Sequence, residues 1–335
     1  MQRRTTHLLI LTATFVLLGW PIMHAEDQIT AKKSSYPPIP ENVTSFGAAI
    51  CGDALYVYGG HAGEAHSFSD REQGRTLWRL KLDQPSQWEK VASGPPRQGL
   101  ALVAHGGKLY RIGGFCAQNK KGEPHDLHSQ ADVACFDPAT GKWTELPPLP
   151  EPRSSFDAAV LDGKIYVIGG WKLAGGDDEA TWHKTAYVLD LGQAQPTWQE
   201  LPRPPFVRRA LAVAAFDGKI YAIGGMQQRG GPTTRVDIYD PASRKWSQGP
   251  SLHGEPMNGF GASAFAAGGH LYVTTMDGSV QQLGPGATAW KTIGKLERPR
   301  FFHRMLPRDD QRLLMIGGAS MRSGKYDRID ILEIR

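Results

Sequence analysis

Arginines that recur at a fixed spacing are the residues of this chain best suited to chemistry. Counting sixteen residues back from the first glycine of successive Gly-Gly pairs lands on Arg97, Arg153 and Arg208, and one inserted residue brings Arg300 to the same place. Val43 and Asn258 hold the equivalent position in two further copies. Guanidinium groups set around one opening would make it positive and suit it to carboxylate or phosphate, held through paired N–H donors. The same side chains have a second use: they can pair with acids in adjacent loops and hold the fold together. Further candidates are Arg235, His303 at the head of an apolar stretch, and the loop WKLAGGDDEATWHK. The Trp171 and Trp182 of that loop offer flat faces for a sugar ring to stack on or a protein partner to bury.

Other signals are weaker. The loops also carry His61, His66, Arg71, His125, His128, His183 and Arg229, and His125, Asp126 and His128 have a spacing that a metal could use. Isolated histidines in exposed loops are usually solvated, so no metal and no cofactor is expected. GFGASA imitates a dinucleotide fingerprint, but no helix pattern follows it. There is no Gly-x-Ser-x-Gly, no phosphate loop and no His-Glu-x-x-His, and the catalytic residues are left unassigned.

These residues ride on a repeat. Pro37 to Gly60 reads PPIPENVTSFGAAICGDALYVYGG, and 110 residues later PPLPEPRSSFDAAVLDGKIYVIGG shares twelve of its twenty-four residues. Gly-Gly pairs at 59, 113, 169, 224 and 317 set a step of 54 to 56 residues, with one longer step in which GGHLYVTTMDG places Thr274-Thr275 where glycines should stand. Six units result. Each reads as four strands: an apolar stretch, a tight turn such as Asp162-Gly163 or Asp217-Gly218, an alternating strand ending in Gly-Gly, and, after a variable loop, a third strand and turn leading to Trp88, Trp143, Trp198, Trp246 or Trp290. A four-stranded sheet of this size cannot bury both faces alone, whereas several packed around an axis can.

A hydrophobic strand ending in Gly-Gly, then Tyr-Asp-Pro or a relative of it, then Trp, resembles the kelch repeat. The expected fold is therefore all-β, a six-bladed kelch-type β-propeller of four-stranded blades over residues 26–335. The blades are placed near 44–94, 97–150, 153–204, 208–252, 258–297 and 300–335. The last supplies only three strands, so AKKSSYPPIP (31–40) is expected to add the fourth and close the ring. Loops after the second strand and links between blades then share one face, where function is placed. The resemblance implies that rim arginines hold acidic ligands, as in related propellers. It also implies an alternative, an N-acetylneuraminate mutarotase, but the glutamate that this activity would use is replaced by Met226, Gln227 and Gln228, with Arg235 standing where its arginine would fall. A galactose-oxidase-like copper enzyme is a further implied relative, though its larger multidomain build is absent.

Composition sets the remaining bounds. Arg3 and Arg4, the apolar run Leu8 to Trp20, Pro21 and Ala25 read as a signal peptide over residues 1–25, so a secreted or periplasmic protein with no membrane association after leader cleavage is expected. Without that leader the formal charge falls from +5 to +3, which argues against a nucleic-acid partner. Cys51, Cys116 and Cys135 are too few for a disulfide scaffold, leaving at most a Cys116–Cys135 bridge. The resulting reading is a secreted binding or interaction module for an acidic small molecule, glycan or protein, through Arg97, Arg153, Arg208, Arg300, Arg235, Trp171, Trp182 and His303.

Overall fold

A computed structural model describes residues 29, 31–176 and 179–334; the expected leader lies outside the described residues. Six four-stranded antiparallel sheets form a six-bladed propeller. Blade one comprises Gly47–Cys51, Ala54–Tyr58, Thr76–Lys81 and Glu89–Ser93, and blade two Ala101–His105, Lys108–Ile112, Val133–Asp137 and Lys142–Leu146. Blade three follows with Asp157–Leu161, Lys164–Ile168, Ala186–Asp190 and Trp198–Glu200, and blade four with Ala212–Phe216, Lys219–Ile223, Val236–Asp240 and Lys245–Gln248. Blade five holds Ser263–Ala267, His270–Thr274, Ser279–Leu283 and Lys291–Lys295. Blade six holds Arg304–Asp309, Arg312–Ile316 and Ile329–Glu333, and its outer strand is Ala31–Lys33 from the other end of the chain.

That closure follows the expected register, with Ala31 opposite Leu332, Lys32 opposite Ile331 and Lys33 opposite Asp330. The strand stops at Lys33, short of residues 31–40, and Pro37, Pro38 and Pro40, with no N–H to donate, could not extend it further on. The segment still tracks the blade, the Ser34 hydroxyl donating to the Ile329 carbonyl at 2.5 Å and the Ile39 amide to Asp327 at 2.6 Å. Upstream, the Ile29 amide donates to Ile293 of blade five at 3.0 Å. An added Cβ on Gly294 would stand 1.9 Å from the Ile29 carbonyl oxygen, so a residue without a side chain is required where the chain crosses.

The core is divided into wedges, one between each pair of neighbouring blades. Ile39, Val43, Phe46, Leu55, Leu314 and Ile329 fill the wedge between blades six and one, and Leu313, Met315 and Leu332 pack with Tyr272 and Ile293 between five and six. Tryptophans at the start of four of the outer strands are bonded to the preceding link. Trp88, Trp198, Trp246 and Trp290 donate their indole N–H to the carbonyls of Pro37, Pro147, Pro202 and Pro250 at 3.2, 2.9, 2.7 and 2.8 Å. Trp143 lacks this bond, its Nε1 being buried without a partner, and takes the Arg111 guanidinium over its ring at 4.9 Å instead. The Gly-Gly pairs give the next link room. The Gly60, Gly114 and Gly170 amides donate to the carbonyls of Arg97, Arg153 and Arg208 at 2.8 to 2.9 Å, and a Cβ on Gly59 would fall 2.4 Å from the Arg97 carbonyl oxygen.

Blade five tolerates Thr274-Thr275 because its chain does not leave the sheet there. A tight turn returns at once, the Thr275 amide donating to Ser279 at 3.1 Å and Gly278 to Thr275 at 2.9 Å. All three cysteines are free, so the bridge considered for Cys116 and Cys135 is absent; Cys116 lies in a short hairpin above the blade, Phe115–Ala117, and Cys135 in its third strand. A paired test follows from the indole bonds. Trp246→Phe should lower the unfolding free energy by about 1–2 kcal/mol, through the lost bond and the stranded carbonyl. Trp143→Phe, with no bond to lose, should cost clearly less in the same urea titration.

Candidate functional site

The link into each inner strand turns through one residue of left-handed backbone: Ser45, Gly99, Ser155, Ala210, Gly261 and Phe302, with φ between 52° and 61°. Their peptide groups chain around the axis. Gly99 donates to Ser45, Ser155 to Gly99, Ala210 to Ser155, Gly261 to Ala210 and Phe302 to Gly261, at 2.7 to 3.1 Å. No sixth bond joins Ser45 to Phe302 among the described residues. This hoop frames a shallow mouth of about 90 Å³ on the loop face. Beneath it runs a channel of about 350 Å³ lined by the inner strands of all six blades. Arg304 of blade six reaches across to Asp157 of blade three at 2.8 Å, and this ion pair borders both spaces as the floor of the mouth.

Arg97, Arg153, Arg208 and Arg300, expected on the rim, stand one layer below it, at most 7% exposed. Their donors are used inside the blades. Arg208 donates to Asp237 at 2.7 Å and to the carbonyls of Gly224 and Arg235, while Arg97 donates to Asp132 at 2.7 Å and Arg300 to Asp330 and the Gly317 carbonyl. Arg153 binds Thr185, the Gly169 carbonyl and Glu151. Each aspartate is shared with a second arginine: Asp132 with Arg111, Asp237 with Arg235, Asp330 with Arg328. Burial pushes Arg153 and Arg208 down to about 10, against the pull of Glu151 and Asp237, so both stay charged at neutral pH. These four guanidinium groups pin strands together and have little surface left to offer a ligand. Arg235, about one-third exposed, is bound to both Asp237 oxygens. A signal for this lay in the sequence, since Arg235-x-Asp237 and Arg328-x-Asp330 repeat the same short pairing.

His303 is buried inside, its Nε2 2.6 Å from the Thr274 hydroxyl. Burial, with Arg300 and Arg304 adding to it, holds its pKa well below the ordinary histidine value. Asp126 and His128 pair at 2.7 Å, and among the described residues no three His, Cys, Asp or Glu side chains gather as metal ligands.

Trp171 and Trp182 do come together. They face each other across a short hairpin, Trp171–Lys172 with Thr181–Trp182, ring centroids 5.6 Å apart at 72°. Between them and the mouth lies Arg209, which the spacing argument passed over. Its guanidinium carbon sits 4.0 Å over the Trp171 ring and 5.3 Å from Trp182, and the residue is one of those lining the mouth. Burial lowers its pKa, and among the described residues it has neither ion-pair nor hydrogen-bond partner. Consecutive residues of an extended segment point opposite ways, so Arg208 turns inward to Asp237 and Arg209 outward to the indoles. Gln98, Ser154 and Phe301 take the corresponding place in other blades.

Comparison with known proteins agrees with this geometry. The family model described as Kelch motif matches residues 152–205 and 208–253, and that described as the KLHDC2/KLHL20/DRC7 Kelch-repeats domain matches residues 23–170. The chain belongs to the kelch-repeat propellers. Among kelch proteins it is similar to mouse Kelch-like protein 35, at 27% identity over 80% of this chain and 39% of that protein. It is also similar to human Kelch repeat and BTB domain-containing protein 13, at 32% identity over 59% of this chain and 43% of that protein. The chain thus spans less than half the length of these curated relatives. The solved structure of YjhT superposes with a TM-score of 0.72 over 90% of this chain and 98% of its own, at 19% identity, a likeness of fold.

Two outcomes test the buried charges of this kelch propeller. Asp237→Ala, which strands Arg208 in the interior, should lower stability by about 3–5 kcal/mol in urea titration. His303 is neutral in the folded protein, whereas the unfolded chain takes up a proton below about pH 6.5; the fold therefore loses stability as pH falls through that value, by up to about 1.4 kcal/mol per pH unit for the group. The midpoint slope between pH 6.5 and 5 should flatten in His303→Gln.

Proposed function

We propose that this propeller is a binding module whose loop face receives a carboxylate presented by a partner, a protein being the favoured class. One observation carries the reading: Arg209 stands at the mouth with no acid paired to it among the described residues, its guanidinium over the Trp171 ring and beside Trp182. A guanidinium fixed in this way loses little side-chain freedom when it takes up a carboxylate and is partly shielded from water, which strengthens the pair. The chemistry of the opening favours a protein. Among the described residues the channel beneath, about 350 Å³, is apolar apart from Ser263 and the engaged Arg304–Asp157 pair and offers an acidic small molecule no free partner, while the mouth that carries Arg209 measures about 90 Å³. It fits one side chain of a larger surface. An acidic sugar or glycan end is the competing ligand, and we place the module outside the cytoplasm on the leader pattern at residues 1–25.

A fluorescence-polarisation panel of glutamate-containing octapeptides, with glucuronic acid and N-acetylneuraminate as competitors, tests this. Binding of the acidic peptides should fall tenfold or more in Arg209→Gln, with thermal unfolding nearly unchanged. Equal affinity in the variant would remove Arg209 from the site, and capture of the sugars in place of the peptides would reassign the partner.

A further inference from the structure

We propose that the mouth has an apolar sector at blades five and six, with Phe302 two links round the hoop from the link that carries Arg209, and that the segment it takes is an extended stretch of a partner protein carrying a bulky apolar side chain close to its acidic residue. This rests on the carboxylate reading of Arg209. Three independent features of blades five and six point to it. The first is a missing wall. Between second and third strands the other blades carry loops of twelve (224–235) to twenty residues (113–132), while blade five has only residues 275–278. A chain that enters the mouth can leave across this sector without meeting a loop.

The second feature is Phe302. Five of the six left-handed positions in the hoop hold Ser, Gly or Ala, whereas the sixth holds a phenylalanine at φ 52°. Bulky side chains rarely adopt that backbone, and residues held there cluster at sites of function. Its half-buried ring lines the same mouth as Arg209. It meets Phe260 and Phe301 with centroids 5.1 Å away in each case, and all three rings keep exposed surface. The third feature is the company they keep. Met257, 47% exposed, precedes Phe260 in a short 3-10 turn, and Met321, 83% exposed, tips the hairpin whose Ala319 pairs with Phe301. These are two of the three large apolar side chains exposed among the described residues. Exposed methionines close along the chain to Phe260, and to the Ala319 that pairs with Phe301, add adaptable apolar surface to this sector. Among the described residues Asp157 is the one carboxylate lining the mouth, and it is engaged by Arg304 and not by Arg209.

Selection of a phage-displayed random octapeptide library on the immobilised protein tests the inference, followed by polarisation measurements with a selected peptide. Enriched sequences should pair Asp or Glu with Phe, Leu, Met or Trp within about three positions, and replacing that apolar residue by alanine should weaken binding tenfold or more. Phe302→Gly removes the ring while fitting the left-handed backbone, so it should keep or raise the unfolding temperature and erase the apolar preference, leaving the dependence on acid intact. Acid-dependent binding with no apolar preference, or a preference that survives in Phe302→Gly, overturns this inference and leaves the carboxylate reading standing. Selected peptides that bind wild type and Arg209→Gln alike overturn the carboxylate reading and, with it, the pairing of acid and apolar groups proposed here.

Discussion

Three residue pairs, Ala31 with Leu332, Lys32 with Ile331 and Lys33 with Asp330, bring the two ends of the chain into one sheet. Without them blade six would be a three-stranded sheet with an open edge. The wedge between blades five and six would also lose Ile29 and Ala31, which pack against it. Every wedge is built from two blades, so slackening one joint removes support from its neighbours around the circle. The hoop of backbone hydrogen bonds at the mouth adds to the same closure and, among the described residues, is interrupted at the joint between blades six and one. That joint is therefore held by the strand pairing and by the apolar wedge around Phe46, Leu314 and Ile329.

A closed ring fixes where charge can go. In blades two, three, four and six an arginine can be buried because backbone carbonyls and an acid accept its hydrogen bonds, as Asp237 does for Arg208 and Arg235. A buried guanidinium without such partners would cost several kcal/mol, on the order of the loss of half of a buried pair. Arg209 escapes this demand because it is only half buried and lies on aromatic faces. The scaffold arginine and the mouth arginine are thus adjacent residues separated by the direction in which an extended chain points them.

This contrast explains what could be read in advance. Periodicity of glycine pairs, Asp-Gly turns and tryptophans reports backbone constraints that hold in every blade, so blade count, strand number and the closing strand were legible. The left-handed Asp162 and Asp217, with their glycines, sit where hairpin chemistry demanded. Spacing also found Arg97, Arg153, Arg208 and Arg300, but a shared place in a repeat marks a shared structural duty at least as readily as a shared ligand. The features proposed here for binding lie where the copies differ: Arg209 and Phe301 at one position, Phe302 at another, the four-residue turn of blade five. Such departures carry no period, and which way each side chain faces depends on neighbours that only the folded ring supplies.

Hydrogen exchange followed alongside thermal unfolding, on the chain with and without residues 29–33, tests the closure most directly. Removal should lower the unfolding midpoint and release the amides of Ile329–Glu333 to exchange well before those of the inner strands of blades two to four. An identical midpoint and unchanged protection of Ile329–Glu333 in the shortened chain would show that the ring holds without the joined ends.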